Sequence, residues 1–406
     1  MRPRFAKTRV ACESSCLRAY SQRLAWNSSA NRISHLLEEQ RARGAPLLDL
    51  RISNPTEAFR DYPHEAIRRA YSDISDFTYH PEPLGEPAAR TAIADWYREQ
   101  DIRSAPEQIL LTASSSEAYA LLFKLLCNPG DEILVPVPSY PLFEFLAALE
   151  CVGIVPYRLL YDGAWFIDFS TLRNRITSRT RAIVIVNPNN PTGSFLKSFE
   201  REQLITLAIE HELPIISDEV FMNYSLGDLN ERVQTMIGCD SVLSFSLNGL
   251  SKAAGMPQVK LGWIALNGPA QEREIARNRL ELLLDSYLSV STPVQRALPR
   301  LLEIGNRMRR QIAERLTRNL DTLDRLLVCT TAHRLHVEGG WSAILQLPNV
   351  SDEESWVARL IEQRGVIVQP GYFFDMEPKP YTVVSLLTDP EVFEQGIRAI
   401  ASLLEA

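Results

Sequence analysis

The segment "SLNGLSKAAGMPQVKLGW", residues 246–263, sets two lysines eight residues apart. Lys252 follows a serine in a turn-like stretch between two apolar runs, and Lys260 stands at the head of the second run. A lysine in a turn is ordinarily a solvated loop charge, because long charged side chains rarely leave water. An amine held partly out of water near a second cation is a different group. Its pKa falls, and it can condense with an aldehyde to a Schiff base. Lys260 could be that cation, or it could hold an anion.

Three polar clusters precede this segment, each at the end of an apolar run. "TASSSEA" places Ser114, Ser115 and Ser116 where a strand gives way to a helix. Helix N-terminal amides with hydroxyls beside them form an anion seat suited to a phosphate, although serine at that position is also a common cap. "NPNNPTG" carries Asn190 into a Pro-Thr-Gly turn, which can present its amide at a strand end or be a plain loop. "SDEVF" ends an apolar run on Asp218. A carboxylate there is partly desolvated and requires a cationic partner such as a protonated heterocyclic nitrogen; the competing reading is a helix cap. In order along the chain, these are an anion clamp, a ring hydrogen bond, a pyridinium partner and an imine lysine. That set meets the needs of pyridoxal phosphate.

The elements that would position these groups are readable as an alternation. "QILLTA", "DEILVPVP", "GIVPYRLL", "RAIVIVNP", "PIISDEV", "VLSFSL" and "KLGWIAL" are short runs rich in aliphatic residues, as in strands buried on both faces of a parallel sheet. Helical patterns such as "SSSEAYALLFKLL", "YPLFEFLAALE" and "SFEREQLITLAIEHEL" separate several of them. The spacing predicts an open α/β layer over residues 105–267, which binds ligands at the carboxyl ends of its strands. Helices are also expected over 31–43 and 87–100. From Pro293 to Leu327 a long helical pattern rich in Arg and Leu begins a second texture. "LHVEGGWSAILQLP", a helix near 352–364, "GVIVQPG", "YTVVSLL" and a closing helix from Pro390 read as a smaller α+β domain. The expected organisation is an N-terminal arm with part of the small domain (1–60), a large cofactor domain (61–292) and a C-terminal small domain (293–406).

With "YHPEPLGEPAARTAIADWY", "PVPSYPLF", "NPNNPTG", "SDEV", "GLSKAAGMPQVKLGW" and "VIVQPGYFF" in this order, the chain from about residue 45 onward resembles the class I/II aminotransferases of fold type I. The resemblance implies a mostly parallel central sheet with helices on both faces, plus a smaller α+β domain. It implies a pyridoxal phosphate cofactor and transfer of an amino group between an amino acid and a 2-oxo acid through a Lys252 Schiff base. Carried over, Lys252 is also the general acid/base, Asp218 the partner of the pyridinium nitrogen and Asn190 a neighbour of the ring's phenolic oxygen. Tyr140 stacks on the ring. Ser114, Ser115, Ser116, Ser251 and Lys260 surround the phosphate. Tyr79 matches a tyrosine that reaches the neighbouring subunit's cofactor, which implies a homodimer with shared active sites. Asn54 in "RISNPTE" falls in the substrate-side loop.

Four positions depart from the family pattern. Lys260 stands for an arginine, which keeps the charge and loses the bidentate fork. Gly249 stands for a serine, and Phe221 for a tyrosine. In "YTVVSLL", Val383 stands for the arginine that clamps the substrate's α-carboxylate. Arg23, Arg51 and Arg60 are the basic residues near the N-terminal segment that could replace it. Alternatively, the substrate lacks an α-carboxylate. A β-lyase, decarboxylase or racemase would use the same cofactor, since one carbanion serves all of them.

Composition narrows the other classes. With 406 residues, 45% hydrophobic and 23% charged, the chain is ordinary globular material longer than one core usually serves. A net charge of −7 without a basic stripe argues against nucleic-acid and anionic membrane partners. The segment before residue 45 is too short for a DNA-binding module and has no helix-turn-helix pattern. No apolar run is long enough to cross a bilayer. The basic first residues lack the apolar region of a secretory signal. Cys12 and Cys16 have no second pair to complete a zinc site. Cys127, Cys151, Cys239 and Cys329 sit in apolar runs and read as buried thiols of a reducing, cytoplasmic setting.

Overall fold

A computed structural model describes residues 31–227 and 231–405, together with Ser21 and Arg23. Its centre is an eight-stranded sheet. From edge to edge the strands are Ile109–Thr112, Gly262–Asn267, Ser244–Gly249, Ile215–Asp218, Thr180–Val186, Glu132–Val137, Gly153–Tyr161 and Trp165–Ile167. The five from Ser244–Gly249 to Gly153–Tyr161 are mutually parallel. Gly262–Asn267 runs antiparallel to both of its neighbours, and Trp165–Ile167 antiparallel to its own. The strands from Gly262–Asn267 to Glu132–Val137 are largely buried on both faces, which is why their sequences read as continuous aliphatic runs rather than alternating ones.

Helices cover the sheet. Ser115–Leu126 packs Ala118, Leu121 and Leu122 into a core shared with Leu110, Phe245 and Ile264. On another part of the sheet, Pro87–Arg98 delivers Trp96 and Tyr97 against Trp263. The three rings meet edge to face, and the Trp263 indole N–H donates to the Tyr97 hydroxyl at 2.9 Å. Burying these rings with their polar atoms bonded is the efficient way to use large aromatics in a core.

The long helix Thr292–Leu327 spans 36 residues and belongs to two cores. Val294, Leu298 and Leu301 pack with Trp96 and Trp263, whereas Ile312, Leu316 and Leu323 pack with Trp356, Ile397 and Leu403. The second core closes around a four-stranded sheet ordered His333–Arg334, Ser342–Gln346, Tyr381–Ser385 and Gln369–Pro370. Helices Glu353–Arg364 and Pro390–Leu404 cover it. The N-terminal segment joins this unit: Leu48–Asp49 pairs in parallel with Val366–Ile367, and the Ser385 amide donates to the Leu50 carbonyl at 2.7 Å.

The elements expected from sequence form, with Asn31 capping the first helix, Arg32–Ala42. The 18-residue helix Ala270–Tyr287 was not anticipated. It buries only Ala276, Leu280 and Leu284, so its apolar stripe is thin. Two cysteines correct the expectation of buried thiols: Cys151 and Cys329 are exposed, Cys127 is half-buried and Cys239 is buried. Cys12 and Cys16 lie outside the described residues.

Trp263→Ala removes the ring that joins the Pro87–Arg98 helix to the sheet. Urea denaturation is expected to show a loss of about 3–5 kcal/mol, the usual cost of emptying such a site.

Candidate active site

Parallel strands deliver their following loops to one edge of the sheet. Asp218 ends its strand in register with Leu247 on one side and Val186 on the other. The loop after Val186 carries Asn190, and the turn after Leu247 leads through Gly249 into the short helix Leu250–Ala253, which holds Ser251 and Lys252. At the next position Gly249 faces Gly262, which in turn faces Thr112, two residues before Ser114. Strand register therefore brings four motifs that are remote in sequence to one rim. Ser114, Ser115, Ser116, Tyr140, Asn190, Asp218, Ser251 and Lys252 all keep partial access to solvent there.

The serine cluster divides its work. Ser114 is the N-cap of Ser115–Leu126, its hydroxyl accepting from the Glu117 amide at 3.2 Å. The first-turn amides have no helical partners of their own and face outward from the helix end. Gly262 is what lets this helix start so close to the sheet. A Cβ there would lie 3.0–3.1 Å from the Ser114 carbonyl carbon, the Ser115 nitrogen and the Asn248 oxygen. The same crowding accounts for Gly249, where a Cβ would lie 3.0 Å from the Gly262 Cα and the Leu261 oxygen. A serine in that place would push the two strands apart.

Asp218 and Lys252 are the charged centre. Burial pushes the Asp218 carboxyl up to about 6, opposed by the Val220 amide, the Tyr119 hydroxyl and the charge of Lys252. Tyr119 donates to Oδ2 at 3.0 Å and the Val220 amide to Oδ1 at 3.2 Å. Burial brings Lys252 down to about 8, with Asp218 pulling the other way. Each group is thus desolvated more than it is compensated. The next residue, Glu219, is fully buried without a cation and is pushed up to about 7 by that burial. Ser217, Ser246, Thr235 and the Met236 amide all donate to it, which ties the ends of two strands to a neighbouring loop.

An aromatic wall faces the lysine. The Lys252 Nζ lies 4.6 Å from the Trp341 ring centre and 5.4 Å from that of Phe221. Trp341 meets both Phe221 and Tyr224 edge to face, and the Tyr224 hydroxyl donates to the Lys252 carbonyl at 2.6 Å. Sequence reasoning missed Trp341, Tyr224, Tyr119 and Glu219. Only Tyr119 carried a usable signal, being one turn into the helix that the serines open.

The remaining expected residues lie in different surroundings. Lys260 is exposed, with a left-handed backbone at φ 60. Tyr79 is 57% exposed. The Asn190 side-chain Oδ1 accepts from the Ser342 hydroxyl at 3.4 Å. Asn54 is used locally, capping the short helix Pro55–Ala58 and donating to Glu57 at 2.9 Å. Val383 is buried among Trp165, Ile344, Phe374 and Tyr381, with Tyr140 packed against that cluster. Of the three arginines considered as substitutes for it, Arg23 donates to the Leu149 carbonyl, Arg51 is paired with Asp49, and Arg60 is exposed.

These donors fit pyridoxal phosphate. A desolvated carboxylate short of cations suits a protonated ring nitrogen, a lowered-pKa lysine suits the aldehyde, and first-turn amides beside serine hydroxyls suit the phosphate. The sequence model of the family described as aminotransferase class I and II matches residues 45–400. The chain belongs to that family. It therefore has the fold type I architecture, with a site suited to pyridoxal phosphate. The glutamate-pyruvate aminotransferase of Escherichia coli is 32% identical over 263 residues, and the match spans 64% of this chain and 64% of that relative's length. Nicotianamine aminotransferase 1 of Oryza sativa is 28% identical over 347 residues, covering 81% of this chain and 68% of the relative. The structure of an alanine aminotransferase from Pyrococcus furiosus superposes with a TM-score of 0.84 at 25% identity, covering 95% of this chain and 99% of that one.

For a class I and II aminotransferase, the state of the lysine sets how fast the cofactor is captured. A neutral amine is the nucleophile, so capture of pyridoxal phosphate by cofactor-free protein is expected to rise with pH up to about 8 and then level. Stopped-flow absorbance across pH 6–10 (roughly two units either side) measures it. Tyr119→Phe removes a donor from a charged acceptor and is expected to weaken cofactor affinity about 10-fold or more, as read by equilibrium dialysis.

Proposed function

We propose that the enzyme moves an amino group from an amino acid to a 2-oxo acid. The observation that carries this reading is the desolvated Lys252–Asp218 pair at the carboxyl edge of the sheet, inside a chain matched to the family over residues 45–400. Relatives named for glutamate–pyruvate and alanine transamination support small amino acids and their oxo acids as substrates.

Bound pyridoxal phosphate supplies an electron sink for the bond broken at the donor's amino-bearing carbon. The Lys252 Nζ would hold the cofactor, and the same amine, when free, would carry the proton from the donor's amino-bearing carbon. Asp218, with Tyr119 donating to it, would keep the ring nitrogen protonated, Asn190 would meet the phenolic oxygen and Tyr140 the ring face. Ser114, Ser115, Ser116, Ser251 and Lys260 would hold the phosphate, and Asn54 and Asn190 would address the substrate. Trp341 and Phe221 cover one side of the lysine and leave it partial access to solvent.

Tyr79 supports a homodimer with shared sites. It is 57% exposed, and Phe77, Leu282 and Leu288 are exposed as well, which suits a surface covered by a second copy. The division into an arm (1–60), a cofactor domain (61–292) and a small domain (293–406) accords with the two cores, with the long helix contributing to both. No helix among the described residues is long and apolar enough to cross a membrane, and the four described cysteines are free, which supports a cytoplasmic setting. A second reading, amine donors without an α-carboxylate, is favoured by one observation, the burial of Val383 among apolar side chains.

Lys252→Ala is expected to abolish turnover together with the visible absorbance of the lysine-bound cofactor; a fully active variant would sink the assignment. Asp218→Asn is expected to bind the cofactor and to lose at least about 100-fold in kcat, in line with the loss of one preorganised charge at the reacting centre, as measured in a coupled assay.

A further inference from the structure

Three charged side chains meet out of bulk water, three residues along the chain from the aromatic wall. Lys197 and Arg232 stand directly opposite each other on the two-stranded ribbon Leu196–Lys197 and Arg232–Val233. Like charges so placed repel and would loosen the ribbon. Each keeps only 13% of its side chain exposed, so solvent screens little of that repulsion. Glu338 supplies the missing anion. Its Oε2 accepts from the Lys197 Nζ at 2.9 Å and from the Phe195 amide at 2.8 Å, and its Oε1 lies 3.7 Å from the Arg232 Nε. The Lys197 ammonium spends its other two N–H bonds on the carbonyls of Phe195 and Trp165, at 2.7 and 3.0 Å. Two further titratable groups border the cluster. Glu200 is buried and accepts the amides of Lys197 and Ile167, while burial holds His336 below its ordinary value.

Glu338 heads the turn that carries Trp341 to Lys252. The Leu226 amide donates to the Glu338 carbonyl and the Gly340 amide to the Tyr224 carbonyl, both at 2.8 Å. A Cβ on Gly339 would lie 2.6 Å from the Phe195 ring and from the Tyr224 oxygen. One on Gly193, in the Asn190 turn, would lie 2.4 Å from the Gly339 oxygen. The turn is thus pressed onto two segments at once, the one bearing Asn190 and the one that follows Asp218. Its two glycines have no side chains to anchor it, so the charged anchor is Glu338. At its far end the Trp341 ring centre lies 4.6 Å from the Lys252 Nζ, and the Ser342 hydroxyl donates to the Asn190 Oδ1 at 3.4 Å.

We propose that Glu338 is a positioning residue: by neutralising Lys197 and Arg232 it fixes the turn that lays Trp341 against the Lys252 amine. Its meaning for catalysis rests on the transamination reading, in which Lys252 is the reactive amine. Asp218 is the charged group that faces Lys252, and burial is what brings the amine down to about 8. A turn released from its anchor admits more water to Lys252 and weakens that burial. The test labels the full chain, free of cofactor, with acetic anhydride from about pH 6 to about pH 11, and peptide mass spectrometry reads the acetylation of Lys252. In Glu338→Gln the midpoint is expected to move up by about one pH unit, part of the way back to an ordinary lysine. The same substitution added to Trp341→Ala is expected to move it no further, because residues that act through one another are not additive. Glu338→Asp, which keeps the charge and shortens its reach, is expected to give a smaller rise, and it stands in should the glutamine variant not fold. A purely structural carboxylate would lower stability in urea and leave the Lys252 midpoint in place; that result overturns the proposal. So does a shift as large without Trp341 as with it, or a wild-type Lys252 that titrates as an ordinary lysine. A Trp341-dependent shift in a protein that takes up no pyridoxal phosphate would leave the Glu338 assignment standing and remove the transamination reading.

Discussion

Two opposite charges kept from water organise this protein. Asp218 ends one strand and Lys252 lies in the short helix that follows its parallel neighbour, and burial shifts each toward its neutral form. Isolated, such groups would be costly to bury. Here each is partly supported, Asp218 by the Tyr119 hydroxyl and the Val220 amide, and Lys252 by the ring faces of Trp341 and Phe221. The incomplete support is what makes the pair useful. A fully satisfied carboxylate would not demand a cationic ring nitrogen, and a fully solvated lysine would stay protonated at neutral pH.

Holding that pair demands rigidity around it. Glu219 draws four donors from the ends of two strands and a nearby loop, so the strand bearing Asp218 cannot slide against the strand leading to Lys252. Gly249 and Gly262 face each other where the phosphate-side helix begins, and their missing side chains set how near that helix approaches. The departures from the family's usual residues become understandable in this light. A serine at 249 would press its Cβ to 3.0 Å from the facing strand, so its neighbours would have to give. Phe221 contributes a face to the wall beside the lysine in exchange for the hydroxyl it lacks.

The small domain completes the site from the other side. Trp341 precedes the strand Ser342–Gln346, and the long helix Thr292–Leu327 packs into both cores, so the wall over Lys252 is anchored to the same scaffold as the lysine. Asn319 on that helix donates to the carbonyls of Leu386 and Thr388 at 2.8 and 2.7 Å, fixing the end of the strand that contains Val383.

Residue order alone determined the large sheet, because strands buried on both faces are written as aliphatic runs and the loops between them carry the polar residues. It also named candidates for holding the cofactor, since an amine, a strand-end carboxylate, an amide in a Pro-Thr-Gly turn and a serine-capped helix are each recognisable locally. The thin-striped helix Ala270–Tyr287 escaped detection because three buried positions do not make a clear period. Tertiary structure decided the rest. The register of five strands brought the four motifs to one rim, and long-range packing placed Trp341, 89 positions beyond Lys252 by their numbering, against the amine. The same packing buried Val383 among apolar side chains. Periodicity reports which face of an element is apolar; it carries no information about which distant side chain will come to lie across from it.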